Sequence, residues 1–574
     1  MQSADISALE KARDFMTNEK QFHLGFLPTE QSHPETAGLD IITMENTGEG
    51  IKLMQKVDQN ILPMAEKIFA SEEYKTLVDS MEASIISGKK VVFSGCGATG
   101  RLSILLEASW RRFIRENSGL EEFENSVFSI MTGGDYALIR SVESFEDYIE
   151  FGKRQARDIG ISNGDTLFAI TEGGETSSVI GTALQAIENK AAVFIAFNNP
   201  AALLCKHIER SRLIIEHPET TVLDLHCGPM ALAGSTRLQA VTSELLIAGA
   251  ALEETACRVA AKNGALISGA SNSDPLQIFK KLLDDLESEK SIEAISGLLE
   301  FEENIYSQKG LVTYFAENSL LDIFTDTTER APTFMLPPFV KCDDDKSPQS
   351  WAFVKSPLSS TVHTWERVLQ REPRCLEWEK DDYISLGASD KIIKNPPALN
   401  KTELCKFRIG NEADPRRSNV KNSAAVAVLS VSDVQSGLDD FMLKFNFLNK
   451  DFSDNSIIFI GGEIDGASWS VPCKIADSPV KLWEHLAVKL VMNIVSTLTM
   501  ARIGRIKSNW MSWVEATNKK LLDRSVRLIA ELCEVSYEKA CNELFISIDE
   551  INESSWAGRE KPSPVQHAID RISN

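Results

Sequence analysis

The chain has 574 residues, 43% hydrophobic and 25% charged, with 83 acidic residues against 60 basic ones for a net charge of −23. That length supports two or three domains with cores of their own, and the acidic balance speaks against nucleic acid or an anionic membrane surface as partner. Ten cysteines without a Cys-x-x-Cys pair and eight histidines without ligand spacing speak against a disulfide scaffold, a metal site or a cofactor held by one. The expected setting is a reducing cytoplasm, with no signal peptide or membrane span.

Residues 1–26 read as a short helix with an aromatic tail, and 27–36 as a loop entering helical stretches near 51–69 and 72–86. Four strand-prone residues, Val91 to Ser94, then run into Gly95-Cys96-Gly97-Ala98-Thr99-Gly100-Arg101 and a good helix. A strand, a glycine turn and a helix N-terminus make an anion cradle, because unpaired N–H groups point outward and the helix dipole favours negative charge. The spacing also fits a dinucleotide fingerprint, but Asp135 lies well past the acidic position that a ribose contact requires.

Strands and helices alternate from there. The pattern predicts strands at 126–131, 166–170 and 191–197, a short fifth at 212–216, and helices at 146–159, 179–188 and 238–261. Apolar strands separated by helices mean a parallel sheet covered on both faces, whose ligands sit beyond the strands' C-terminal ends. A second glycine-hydroxyl turn, Thr171-Glu172-Gly173-Gly174-Glu175-Thr176-Ser177-Ser178, falls at the same edge as the first. Residues 263–300 read as linker and helix. A second α/β region follows, with strands at 311–315, 424–431 and 457–460 and helices from 319 and over 481–503; the latter is expected to be amphipathic. Residues 331–422 read as long insertions. Glu317-Asn318 fill the turn after 311–315, so the second sheet is expected to lack a phosphate loop of its own.

The first cradle, Gly133-Gly134-Asp135 with Glu143-Ser144-Phe145-Glu146-Asp147, and Gly234-Ser235-Thr236-Arg237 resemble the sugar-isomerase (SIS) domain. More closely they are similar to the N-acetylmuramic acid 6-phosphate etherases and the glucokinase regulatory protein family. Thr29-Glu30, Pro34-x-Thr36, Leu39-Asp40, Asn493, Ser496-Thr497 and Thr517-Asn518-Lys519-Lys520-Leu521 extend the match. The resemblance implies an α/β chain of two SIS domains, parallel flavodoxin-like sheets flanked by helices, with a C-terminal helical segment. The expected limits are an N-terminal segment at 1–45, a first SIS domain at 46–285, a second with insertions at 286–510, and a helical lid at 511–574. The chain would be a monomer with pseudo-dimeric domains.

The etherase reaction, as the resemblance implies it, needs a carboxylate base and a carboxylic acid. Glu146 takes the base position, as base or sugar-hydroxyl contact; the acid's position in the cradle helix is Ser109. Phosphate and sugar contacts are expected from Gly97, Ala98, Thr99, Gly100, Thr171, Glu175, Thr176, Ser178 and Lys520. Arg237 is expected to brace the sheet edge, and Cys96 to be a small packed residue rather than an activated thiol. The ligand implied is a phosphorylated hexose or amino sugar, and the role that of a regulator or sensor, with a sugar kinase as partner by analogy. The alternatives are an etherase-like lyase or aldose–ketose isomerase using Glu146, and a scaffold that binds no sugar.

Overall fold

The computed structural model describes residues 3–142, 144–265, 267, 274–516, 518–556 and 560–573. Glu143 and Thr517 of the motifs above lie outside them. The first sheet contains β1 (Val91–Gly95), β2 (Val127–Met131), β3 (Thr166–Ile170), β4 (Ala192–Phe197) and β5 (Thr220–Asp224), in the order β2-β1-β3-β4-β5. All pairings are parallel. β1 and β3 are buried at every residue, so they read as unbroken apolar runs rather than alternating ones.

The second sheet contains β6 (Val312–Phe315), β7 (Ala352–Lys355), β8 (Ala424–Ser430), β9 (Asp454–Ile460) and β10 (Trp469–Val471), in the order β10-β9-β8-β6-β7. Counted from its own first strand, this is the same 2-1-3-4-5 winding. Val91 pairs with Val127 and Thr166, and Val312 pairs correspondingly with Ala352 and Ala424. The two sheets are topological copies.

Several expectations change. Residues 212–216 are not a strand: they continue the helix Glu209–Ile215, which buries Ile214 and exposes Leu213, and the fifth strand is β5. Residues 331–422 are not insertions alone, because they supply β7. The helix expected from 146 begins at Ile149, and Glu146 sits in a single 3-10 turn, Phe145–Asp147. The helix Leu482–Arg502 is buried nearly all round rather than amphipathic, since it lies between the two domains against the helix Gln239–Lys262.

Two close approaches fix the edge that matters. A Cβ on Gly152 would lie 1.7 Å from the Ser178 carbonyl oxygen, and one on Gly181 would lie 2.1 Å from that of Ile149. The helices Ile149–Asp158 and Ser177–Glu188 therefore cross backbone to backbone, which locks the Glu146 turn to the second glycine turn. The terminal helices Ser3–Asn18, Lys519–Leu532, Tyr537–Glu553 and Pro564–Ser573 bury a small separate core around Phe15, Ile529, Leu544 and Val565. Among the described residues, no helix is long and apolar enough to cross a membrane.

Candidate functional site

A cleft of about 1560 Å³ opens at the C-terminal edge of the first sheet. Its walls come from the cradle, the Glu146 turn, the second domain's helix Leu320–Phe334 and the C-terminal helix Lys519–Leu532. Cys96 and Gly97 are the cradle residues that face it. Gly97 has φ +56°, and a Cβ there would meet nothing within 4 Å, so its backbone borders open space. Gly95 serves a different purpose: a Cβ on it would lie 2.4 Å from the Thr99 carbonyl, and its absence lets helix and strand close on each other. The first turn of the helix Gly97–Glu116 is the sort of terminus whose N–H groups lack intrahelical partners.

The hydroxyls are arranged differently from expectation. Thr99 is fully buried; its Oγ1 accepts from Cys96 N at 3.0 Å and donates to Cys96 O at 2.8 Å, so it caps its own helix. Thr171 Oγ1 donates to Thr176 Oγ1 at 2.9 Å, and Ser178 Oγ lies 2.8 Å from Thr132 Oγ1; Thr171 and Ser178 are both fully buried. Ala98 and Gly100 are buried too, whereas Thr176, the N-cap of the helix Ser177–Glu188, remains partly exposed. The side chains thus stiffen the two turns, and the first turn borders the cleft at Cys96 and Gly97.

Charges line the mouth. Lys520 Nζ sits 2.9 Å from Glu175 Oε1 and 3.8 Å from Glu30 Oε1, with a third of its side chain exposed. Glu30 is buried and accepts from Arg524 Nε at 2.8 Å and Nη2 at 2.7 Å. Burial raises a carboxyl, yet Arg524, Lys520 and Arg527 outweigh it and hold Glu30 down to about 2. Glu175 is likewise held to about 2, against burial, by Lys520 and Arg210. Lys520 in turn is held above the usual lysine range by Glu175 and Glu30, although burial opposes this.

Glu146 is exposed into the cleft but walled by protein, and that desolvation raises its carboxyl; Glu175, Asp147 and Glu329 add to the rise while Lys520 opposes it. Glu172 is pushed up to about 7, chiefly by burial, then by Glu329 and Glu146. Burial and the neighbouring Glu146 lift the Cys96 thiol well above its ordinary value, so it is not an activated nucleophile.

Glu329 was not singled out in the sequence, yet it lines the same cleft as Glu146. It stands fourteen residues past the end of β6, as Ser109 stands fourteen past the end of β1. The duplicated fold exchanges cradle helices: the second domain's helix serves the first domain's cleft. Glu329 pairs there with the Arg101 guanidinium, which is almost fully buried. Ser109 does not line this cleft; its Oγ lies 3.4 Å from His485 Nε2 in another pocket. Glu107 is structural, held to about 2 against burial by Arg371, Arg374 and Arg111. Arg237 donates to Asp326 (3.0 Å), Ser496 (3.1 Å) and Thr497 (2.8 Å), so it ties the two domains together.

The Glu146 turn is braced by a strap from the second domain. Asp135 N donates to Arg374 O at 3.1 Å, and Arg371 spans Asp135 and Glu107. Trp378 stacks on Phe145 at 6.2 Å between ring centroids, and Ser389 N donates to Tyr148 Oη at 3.0 Å. Among the described residues, no group of three or more His, Cys, Asp or Glu is placed to hold a metal.

Residues 72–187 match the family described as the glucokinase regulatory protein N-terminal SIS domain. N-acetylmuramic acid 6-phosphate etherase 1 of Bacillus licheniformis is 29% identical over 225 residues, 39% of this chain and 67% of that protein. The N-acetylmuramic acid 6-phosphate etherase of Lactococcus lactis subsp. cremoris (strain SK11) is 29% identical over 224 residues, 39% of this chain and 68% of that one. Among solved structures, tagatose-6-phosphate ketose/aldose isomerase from Escherichia coli aligns at a TM-score of 0.42 and 10% identity, over 76% of this chain and 90% of that one.

Proposed function

We propose that this chain, a SIS-domain protein, binds a phosphorylated hexose or amino sugar in the large cleft, one site per chain, and acts as a sensor rather than a turnover enzyme. The observation that carries the reading is the meeting of one helix N-terminus, at Gly97, with Glu146, Glu329 and Lys520 around one cavity. Backbone dipoles grip the phosphoryl group. Lys520 is already matched by Glu175 and Glu30, so the amides rather than a free cation carry the anion. Glu146 and Glu329, being acceptors, suit sugar hydroxyls.

Ligand binding is favoured over lyase chemistry by the state of Glu329. Expelling an ether oxygen needs a proton donor near it, and a carboxylate closed onto a buried guanidinium is poorly placed to hand one over. The raised carboxyl of Glu146 favours one second reading, an aldose–ketose isomerase, which needs chiefly a single base. A sugar kinase as the regulated partner, and a cytoplasmic setting, belong to the same proposal and rest on the resemblance and the cysteine pattern.

Thermal melting with a panel of hexose and amino-sugar phosphates tests the binding claim: the phosphate esters raise the melting temperature and the parent sugars do not. The stabilising sugar is then followed by proton NMR for hours. No change in it upholds the sensor; conversion that Glu146→Gln abolishes selects the isomerase; no stabilisation by any ester rejects the binding site.

A further inference from the structure

The carboxylates around the large cleft are unequally partnered. Glu30 is closed on Arg524 and Arg527, Glu175 on Arg210 and Lys520, and Glu329 on Arg101. Glu146 and Glu172 differ. Among the described residues, no other residue closes a hydrogen bond or ion pair on either carboxylate, and Glu172 takes only its own backbone N–H. Lys520 acts on both without touching either, and its ammonium is already set 2.9 Å from Glu175 and 3.8 Å from Glu30.

The two unmatched carboxylates share one neighbourhood. Glu146 borders the cleft. Glu172 stands two residues past β3 and stays partly exposed. A Cβ on the next residue, Gly173, would lie 4.0 Å from Lys520 Nζ, and Lys520 borders the cleft. The cradle residue Cys96 feels the charge of both carboxylates. A third polar group here also lacks a partner. Ser235 is 3% exposed and borders the same cleft, and its Oγ makes no hydrogen bond among the described residues. A buried hydroxyl left in that state costs free energy, so a partner from a ligand is worth more here than at an exposed serine.

On the reading of this cleft as a sugar-phosphate site, on which the inference rests, we infer that the preferred ligand is a phosphorylated hexosamine whose amino group is free and positively charged. Glu146 and Glu172 hold the ammonium while the phosphoryl group sits at the Gly97 end of the cradle helix. Carboxylates only accept, an ammonium only donates, and bonds between the two are charge-assisted. The Ser235 hydroxyl gains a partner from the same ligand. A hexose phosphate would add two negative charges beside two unmatched carboxylates. The hexosamine ester adds one fewer and sets its positive end against them. An N-acetylated sugar keeps the ring and the phosphate but offers a neutral amide.

Calorimetry on the full chain compares glucosamine 6-phosphate, N-acetylglucosamine 6-phosphate and glucose 6-phosphate at one ionic strength, in buffer containing EDTA. Glucosamine 6-phosphate is expected to bind at least tenfold more tightly than either of the others. Its preference over glucose 6-phosphate should shrink to about threefold or less in Glu172→Gln. The same ratio should hold in Asp439→Asn, which removes an exposed acid from the helix Val431–Leu448 of the second domain. Equal or tighter binding of the N-acetyl or the hexose ester would overturn the inference and leave the sugar-phosphate reading standing. Binding of none of the three would overturn that reading itself. An undiminished ratio in Glu172→Gln, or an equal fall in Asp439→Asn, would also overturn the inference, the latter by tracing the preference to the chain's net charge of −23.

Discussion

Lys520 and Arg524 face a cluster of carboxylates that would repel one another without them, and this ordering of charge governs both stability and affinity. Glu30 illustrates the sign. Its carboxyl is held to about 2 in the folded chain against an ordinary value of 4.5, so the stability it contributes, on the order of 3 kcal/mol, is whole above the ordinary value and is lost as pH falls through about 2. Arg524→Ala should remove that stability at neutral pH and cost about 3–5 kcal/mol, because a buried carboxylate loses its bidentate partner; chemical denaturation at pH 7 measures it. Lys520→Gln should weaken a sugar phosphate at least tenfold, by calorimetry, because Glu175 and Glu30 then lose the cation that offsets their charge beside the cleft. At this scale the placement of Gly97 and Glu146 on the cleft was legible, Gly97 from the glycine spacing and Glu146 from the family resemblance. The inward turn of the Thr99, Thr171 and Ser178 hydroxyls was not, since each finds a partner through capping or a neighbouring strand end. Glu329 was hidden because its role follows from an offset repeated in a second domain whose turn has lost its glycines.

The cradle is a matter of clearances between elements. Gly95→Ala would place a Cβ 2.4 Å from the Thr99 carbonyl, backbone against backbone, and should destabilise the chain by several kcal/mol in a thermal melt. Gly97→Ala meets open space, so it should cost only about 1 kcal/mol of strain at positive φ while abolishing phosphate binding. The contrast between the two variants separates a packing glycine from a ligand-facing one. Strands β1, β3, β4 and β8 were legible as apolar runs because both their faces are covered. β5 was missed because as an edge strand it is half-polar, Thr-Thr-Val-Leu-Asp, and the more apolar run just before it belongs to a helix. β7 and β10 span only four and three residues and lie among Pro, Asp and Lys, where periodicity gives no grip.

The whole molecule is a duplicated fold whose halves complete each other's edges. Arg237 joins them through Asp326, Ser496 and Thr497, and the strap around Trp378 braces the turn that carries Glu146. Trp378→Ala should therefore lower sugar-phosphate affinity more than it lowers the melting temperature, with Trp378→Phe restoring most of the loss. The duplication could be expected from length and resemblance; the helix exchange could not, because it depends on how the two sheets face each other. The most direct measurement is a crystal structure with a hexose 6-phosphate bound. Phosphorus against the amides at the Gly97 end of the cradle helix, with the sugar between Glu146 and Glu329, is the predicted result; a phosphoryl group held elsewhere by lysine and arginine side chains, or an empty cleft at saturating ester, would contradict it.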